Sequence, residues 1–269
     1  MNISELYQLF EISNGVTTDS RNCPVGSIFF ALRGDLFNGN AYAAGALATG
    51  CSYAVVDDPD FFIPNDERYI WVNDALKALQ QLANHHRKLL KTKVIGITGT
   101  NGKTTTKELI ATVLQQSYNV LYTFGNLNNH IGVPLTLLRL RAEHDMAVIE
   151  MGANHQGEIK ELSEIADPDY GIITNVGKAH LEGFGSFEGV MKTKSELYDY
   201  LRNKANSIVF VDNDSPYLPK MAEGLNKIYY GIGDDLYING KITGNSPFLE
   251  LEWKALNTAI TQKVTTQLI

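Results

Sequence analysis

The chain lacks what a secreted, membrane-embedded or polyanion-binding protein needs. It has two cysteines, Cys23 and Cys51, too few for a disulfide framework or a cysteine metal cluster, so a reducing cytoplasmic setting is expected. It has no apolar run long enough to span a bilayer. The opening MNISELYQLFEIS has no basic stretch leading into a long apolar core, so neither a signal peptide nor membrane insertion is expected. An excess of positive charge is missing too. Lys and Arg number 23 against 30 Asp and Glu, a net charge of −7, which excludes a general attraction for nucleic acid or anionic lipid. A phosphate-bearing ligand must therefore be held by a local site.

What is present is ordinary for a globular protein: 44% hydrophobic and 20% charged residues. A length of 269 residues suits about two domains. There are no internal repeats and no low-complexity tract. Ile3, Leu6, Tyr7 and Phe10 fit one face of a short first helix. Strands are expected at SIFFAL (27–32), YAVVD (53–57) and YIWV (69–72), and a helix at 41–50. Asp74 stands where it would cap a helix over 75–90, whose basic tail from His85 to Lys91 suits the helix C-terminus. These elements make a first domain, 1–92, of small α/β type.

From Val94 onward strands and helices alternate. VIGIT (94–98), NVLYTF (119–124), MAVIEM (146–151), YGIITN (170–175) and SIVFVD (207–212) are short apolar strands separated by helix-length segments such as 104–117 and 186–201. That pattern predicts a mainly parallel sheet covered on both faces. After Asp234 polar and apolar residues alternate, which predicts a small antiparallel meander with a hairpin turn at INGK (238–241). The second domain is read as 93–269.

Residues 95–107, IGITGTNGKTTTK, lie between the strand VIGIT and the helix that follows. They miss the strict pattern G-x-x-x-x-G-K-[ST], because Ile97 stands where the first glycine belongs. The place in the fold is still that of a phosphate loop. Gly96, Gly99 and Gly102 permit close backbone approach and positive φ, and the backbone N–H groups of Gly99, Thr100, Asn101, Gly102 and Thr105 would face an anion at a helix N-terminus. Lys103 supplies charge for the β- and γ-phosphates, and Thr104 a hydroxyl for Mg²⁺. A glycine-rich turn without a ligand is the plain alternative. Glu150 ends a strand at the carboxyl edge of the predicted sheet, where ligands collect, and its carboxylate is a second candidate for Mg²⁺. The alternative there is a solvated strand-end acid.

GTNGKTTT resembles the ATP loop of the Mur ligase family, the ATP-dependent amide ligases of peptidoglycan precursor synthesis, whose own version departs from the strict pattern. EMGANHQGEI (150–159), GNLNNHIGVP (125–134) and NVGKAHLEGFGS (175–186) are similar to segments of the same family, and specifically to its branch that adds D-alanyl-D-alanine. TDSR (18–21), followed by PVGSIFFALRG (24–34), is similar to the family's N-terminal domain, which binds the UDP end of the substrate.

The resemblance implies an ADP-forming acid–amino-acid ligase that joins D-alanyl-D-alanine to UDP-MurNAc-tripeptide through an acyl phosphate, with ATP and Mg²⁺. It implies contacts to the UDP substrate from Ser20, Arg21, Asn126, Asn128 and Asn129, and places Asn175 beside the nucleotide. It makes His180 a ligand of a second metal, together with Lys194 carbamylated by CO₂. By sequence alone Lys194 is a helix-surface lysine, with Glu196 near and Lys192 pointing elsewhere. Where the family often has D-G-H, this chain has Asn38-Gly39-Asn40, which leaves Asn40 doubtful as a contact. The role of VDNDSP (211–216) stays open. The resemblance also implies a monomer, and a C-terminal ligase domain that this chain lacks, so the chain is expected to be a fragment that binds ligands and catalyses weakly or not at all. A sister ligase adding the third stem residue, folylpolyglutamate synthase, and an inactive nucleotide-binding module are the competing readings.

Overall fold

The computed structural model describes residues 1–177 and 181–266. In chain order the elements begin with α1 (Ile3–Glu11), β1 (Val16–Thr17), β2 (Ile28–Phe30), β3 (Arg33–Gly34), β4 (Phe37–Asn38), α2 (Ala43–Thr49), β5 (Tyr53–Val56), β6 (Tyr69–Trp71) and α3 (Ala75–Leu89). They continue with β7 (Lys93–Thr98), α4 (Lys103–Leu114), β8 (Val120–Tyr122), α5 (Gly132–Leu137), β9 (Met146–Glu150), α6 (Glu158–Ala166) and β10 (Tyr170–Ile173). The last are α7 (Leu181–Phe184), α8 (Phe187–Arg202), β11 (Ile208–Asp212), α9 (Leu218–Met221), β12 (Lys227–Gly231), β13 (Ile238–Gly244), β14 (Glu250–Ala255) and β15 (Gln262–Thr265). The chain forms two compact units, each discontinuous in sequence. One comprises 1–92, 111–150 and 164–167; the other comprises 93–110, 151–163 and 168–269.

In the first unit, α1 starts with a reciprocal cap. Asn2 Oδ1 accepts the Glu5 N–H at 3.0 Å and Glu5 Oε2 accepts the Asn2 N–H at 2.8 Å, so two end donors are satisfied at once. Leu6 and Phe10, one helical turn apart, are the buried stripe. A parallel sheet runs in the order β1-β2-β5-β6, and all three residues of β2 are buried. Asp74 caps α3 as expected, accepting the Lys77 N–H at 2.8 Å. The basic tail of α3 does more than suit a helix end. His86 and Arg87 are buried, and Arg87 donates to the carbonyls of Ala166 (3.2 Å) and Asp167 (3.0 Å). Strands β8 and β9 pair in parallel.

In the second unit the strands run in the order β15-β14-β13-β12-β11-β10-β7. From β7 to β13 the pairings are parallel; β13–β14 and β14–β15 are antiparallel. The parallel sheet and the terminal meander are thus as the residue pattern predicts. The turn is not. INGK lies inside β13, with Ile238 opposite Ala255 and Lys241 opposite Glu252, and the chain reverses between Gly244 and Glu250. An Asn-Gly pair permits a tight turn without enforcing one, and here cross-strand pairing holds it extended, with Gly240 opposite Trp253. Strand β12, KIYYG, is a further element that the residue pattern does not single out.

No helix among the described residues is long and apolar enough to cross a membrane.

Candidate functional site

In the second unit, β7 delivers the chain to the loop 99–102 through five consecutive buried residues, Val94 to Thr98. Gly99 has φ +147° and Gly102 φ +75°, both in the region that side chains resist, whereas Gly96 lies inside β7 without a positive φ, because strand pairing holds it extended. A Cβ on Gly99 would collide with Oγ1 of Thr174, whereas a Cβ on Gly102 would meet nothing within 4 Å. The first glycine is therefore demanded by close approach as well as by backbone angle.

The loop is stitched to the segment that follows β10. The Thr100 N–H donates to the Asn175 carbonyl (3.0 Å), and the Asn101 N–H to Asn175 Oδ1 (3.1 Å). The Asn101 carbonyl accepts from Thr174 Oγ1 (2.6 Å) and Asn175 Nδ2 (2.9 Å). Thr100 Oγ1 accepts the Gly177 N–H at 2.9 Å. Lys103 Nζ lies back over the loop, donating to the carbonyls of Gly99 and Thr100, each at 3.0 Å. Thr104 and Thr105 are exposed on the first turn of α4. The result is a rigid strand–loop–helix connection with the N-terminus of α4 open to an anion. Asn175 thus fixes the loop. Thr174 and Gly177, to which the sequence reading gives no individual role, do as much; position just beyond an apolar strand is the available signal.

Lys194 lies on α8 and is only 3% exposed, which corrects the expectation of a helix-surface lysine. Its Nζ sits 5.4 Å from the centre of the Phe184 ring. Burial, aided by the charge of Lys103, lowers its pKa to about 8, against the pull of Glu196 and Glu158. Lys192 is exposed, as expected. Glu196 is more than company: its carboxylate accepts the N–H groups of Gly157 (2.7 Å) and Lys160 (2.9 Å), holding the start of α6. Glu158 Oε2 accepts the N–H groups of Asn154 (2.6 Å) and His155 (3.0 Å). His180 lies outside the described residues.

In the first unit, Glu150 closes β9 and is 1% exposed, which overturns the alternative of a solvated strand-end acid. Its N–H donates to Thr123 Oγ1 (2.9 Å), and its Oε1 accepts from Asn128 Nδ2 (2.8 Å). Asn128 and Glu150 are thus brought together. Asn129 spends its Oδ1 on the N–H groups of Ile131 (3.1 Å) and Gly132 (2.8 Å), and the Asn126 carbonyl accepts the Asn128 N–H (2.8 Å). Arg21 forks onto Asp19, Nε to Oδ1 at 2.8 Å and Nη2 to Oδ2 at 2.9 Å, on an exposed turn that also holds Ser20. Hydrogen bonding from Arg21 brings the Asp19 carboxyl down to about 2. Asn40 is buried and committed internally: Nδ2 donates to Asp57 Oδ1 (2.9 Å), and Oδ1 accepts the Asp57 N–H (3.0 Å). The open role of the 211–216 segment is answered in part, because Asp214 accepts the Ile232 N–H at 3.0 Å and so ties the end of β11 to the end of β12.

Known proteins agree with this geometry. Residues 97–266 match the family described as Mur ligase middle domain, and residues 13–87 match Mur ligase family, catalytic domain. The chain is 42% identical over 221 residues to the UDP-N-acetylmuramoyl-tripeptide–D-alanyl-D-alanine ligase of Escherichia coli (strain K12), a match covering 78% of this chain and 48% of that protein. The crystal structure of MurF from Acinetobacter baumannii is similar with a TM-score of 0.84 at 32% identity, covering 97% of this chain and 60% of that one. MurF ligase from Thermotoga maritima, solved in complex with ADP, gives 0.83 at 29% identity, covering 96% and 58%. The chain spans about half the length of the curated relatives it matches. Braced phosphate-type loop, parallel sheet and sequence match converge on one assignment: the chain belongs to the Mur ligase family.

Proposed function

We propose that this chain carries the nucleotide- and UDP-substrate-binding functions of a cytoplasmic, monomeric, ADP-forming ligase that joins D-alanyl-D-alanine to UDP-MurNAc-tripeptide. The observation that carries the reading is the loop 99–104, held open by Asn175 and Thr174, with no room for a side chain at Gly99. The activity for which the Escherichia coli relative is named and the ADP in the Thermotoga maritima complex support it. Residues 1–92 are proposed as the UDP-substrate domain, with Ser20 and Arg21 as contacts, and 93–269 as the ATP domain.

In this reading ATP phosphorylates the terminal carboxylate of the tripeptide, and the amine of D-alanyl-D-alanine displaces phosphate to leave the amide. The loop residues Gly99 to Thr105 and Asn175 hold the triphosphate. Lys103 leaves the loop carbonyls to offset charge on the transferred phosphoryl group. Asn126, Asn128 and Asn129 serve the substrate side. The hydroxyl of Thr104 and the carboxylate of Glu150 are oxygen donors of the kind Mg²⁺ takes. A protonated lysine is not, but a lysine with a pKa near 8 supplies the neutral amine to which CO₂ adds. Lys194, so modified, and His180 are proposed as the second pair of ligands. Mg²⁺, when bound, offsets the repulsion between triphosphate and carboxylate.

The test is calorimetric binding of UDP-MurNAc-tripeptide and UDP-MurNAc-dipeptide, with Mg²⁺ and a non-hydrolysable ATP analogue. Preference for the tripeptide is expected. Preference for the dipeptide moves the assignment to the preceding ligase, and binding of the analogue alone leaves a nucleotide-binding module.

A further inference from the structure

Cys23 and Cys51 are 28 positions apart, yet the fold buries both, near enough for Cys51 to help push the Cys23 thiol up. Both side chains belong to one apolar cluster, with Phe29, Leu47 and Ala54. The backbone around them is fastened on either side. The Gly26 N–H donates to the Gly50 carbonyl (2.8 Å), the Ser52 N–H to the Ser27 carbonyl (2.8 Å), and Ser27 Oγ lies 3.3 Å from Cys51 Sγ. The two cysteines are therefore carried on two short segments that cannot drift apart without breaking the start of β2 from the start of β5. Cys23 Sγ also points at the turn before it, 3.4 Å from the Ser20 carbonyl and 3.8 Å from that of Asp19.

We propose that Cys23 and Cys51 form a redox-active dithiol, which a mild two-electron oxidant of the azodicarboxamide or disulfide class converts to an intramolecular disulfide. In the step, one thiolate attacks the oxidant to give a covalent adduct. The second thiol, as thiolate, attacks that sulfur and expels the reduced oxidant. The S–S bond forms, two S–H protons are released to the reduced oxidant and water, and two electrons pass to the oxidant. The neighbouring thiol is the resolving nucleophile at an effective concentration that no external thiol matches. Closure needs the sulfurs to reach bonding distance by side-chain rotation, with the backbone on either side already fastened.

The site has two built-in properties. Burial pushes the Cys23 thiol up to about 11, so oxidation is slow at neutral pH and accelerates as pH rises, because the thiolate is the attacking form. Closure also removes the S–H donor that faces the Ser20 carbonyl, which loosens the turn carrying Ser20 and Arg21. That coupling rests on the proposed substrate role of the turn; the disulfide itself does not.

The test treats the full chain with diamide at pH 8 and pH 9, denatures it in excess N-ethylmaleimide, and reads intact mass and peptides. The expected result is a monomer that takes up no maleimide, has lost two hydrogen masses, and yields one peptide pair joined through Cys23 and Cys51, forming faster at pH 9. Recovery of two maleimide adducts at both pH values, or cross-linked dimers in place of the monomer, overturns the proposal. Cys51→Ser, with its circular dichroism compared to the wild type, is expected to give no closed monomer; loss of two hydrogen masses in that variant also overturns it. Affinity for UDP-MurNAc-tripeptide is then compared between reduced and closed forms. A several-fold loss on closure, reversed by dithiothreitol, is expected. Equal affinity overturns the coupling, and a reduced form that binds no UDP ligand counts against the proposed function and not against the dithiol.

Discussion

The Asn128 amide holds the Glu150 carboxylate, Nδ2 to Oε1 at 2.8 Å, where the carboxylate is almost wholly withdrawn from water. A withdrawn carboxylate depends on such donors for its orientation. The Asn-rich loop therefore acts on the proposed metal chemistry through Glu150, whatever it does for the substrate directly.

Replacing Asn128 tests this. Asn128→Ala is expected to lower stability by about 1–3 kcal/mol, the range for a buried polar group that loses a partner. It should weaken the Mg²⁺-dependent part of ATP-analogue binding by about 10-fold or more, as outer-shell changes do. Calorimetric titrations with Mg²⁺ and with EDTA separate that part. An unchanged Mg²⁺ dependence would remove Glu150 from the proposed ligands.

Gly99 and Gly102 should behave differently despite sharing positive φ. Gly102→Ala meets open space and is expected to cost only about 1–2 kcal/mol of backbone strain. Gly99→Ala must also displace Thr174, whose hydroxyl secures the Asn101 carbonyl. It should reduce nucleotide affinity far more, by about 100-fold, for a loss near 3 kcal/mol. Urea titration and analogue binding measure both effects, and equal behaviour of the two variants would contradict the close-approach argument.

His86 gives the first unit a pH dependence. Its Nε2 faces the Leu140 carbonyl (3.0 Å) and its Nδ1 the Tyr7 hydroxyl (3.2 Å), an arrangement suited to a neutral ring that donates through Nε2 and accepts at Nδ1. Burial lowers its pKa from 6.5, with the charge of Arg141 and of His85 acting in the same sense and the Leu140 carbonyl and Glu11 opposing. The unfolded chain therefore takes up a proton before the folded one does. Stability is full above pH 6.5 and falls as pH drops through 6.5 toward the lower folded value. The urea midpoint of the wild type should fall across that range, and that of His86→Gln should fall less. Parallel curves would show that His86 is not the group responsible.

Lys194 has the same sign of shift at a higher pH. Its folded pKa of about 8 lies below the ordinary 10.5, so its contribution to stability rises between those values and is least favourable below pH 8. In CO₂-free buffer at pH 7, Lys194→Met should be more stable than the wild type by up to a few kcal/mol, with the gap closing toward pH 10. ¹³C-bicarbonate should give a carbamate carbon signal in the wild type and none in Lys194→Met. The same spectrum from both proteins would exclude modification at this lysine.

Much of the fold is legible in the residues alone. Apolar strands separated by helical segments place β7, α4, β8, β9, β10 and β11, and Asp74 marks the start of α3. The irregular loop is recognisable because lysine, threonine and the flanking strand and helix agree locally. INGK misleads, because an Asn-Gly pair permits a turn or an extended strand, and only the pairing partner chooses. Lys194 misleads for a related reason: nothing in K-T-K-S-E says which face of α8 is covered.

The sequence by itself determined most of the strands and helices, the loop and the family, since local propensity, periodicity and motif are properties of neighbouring residues. Tertiary structure decided what those residues experience. It braced Thr100 and Asn101 with Thr174, Asn175 and Gly177, more than seventy positions away. It withdrew Glu150 and Lys194 from water, and it gathered Cys23 and Cys51 into one apolar cluster. Desolvation, charge proximity and shared burial depend on distances through space, and these are fixed only when segments remote in sequence pack together.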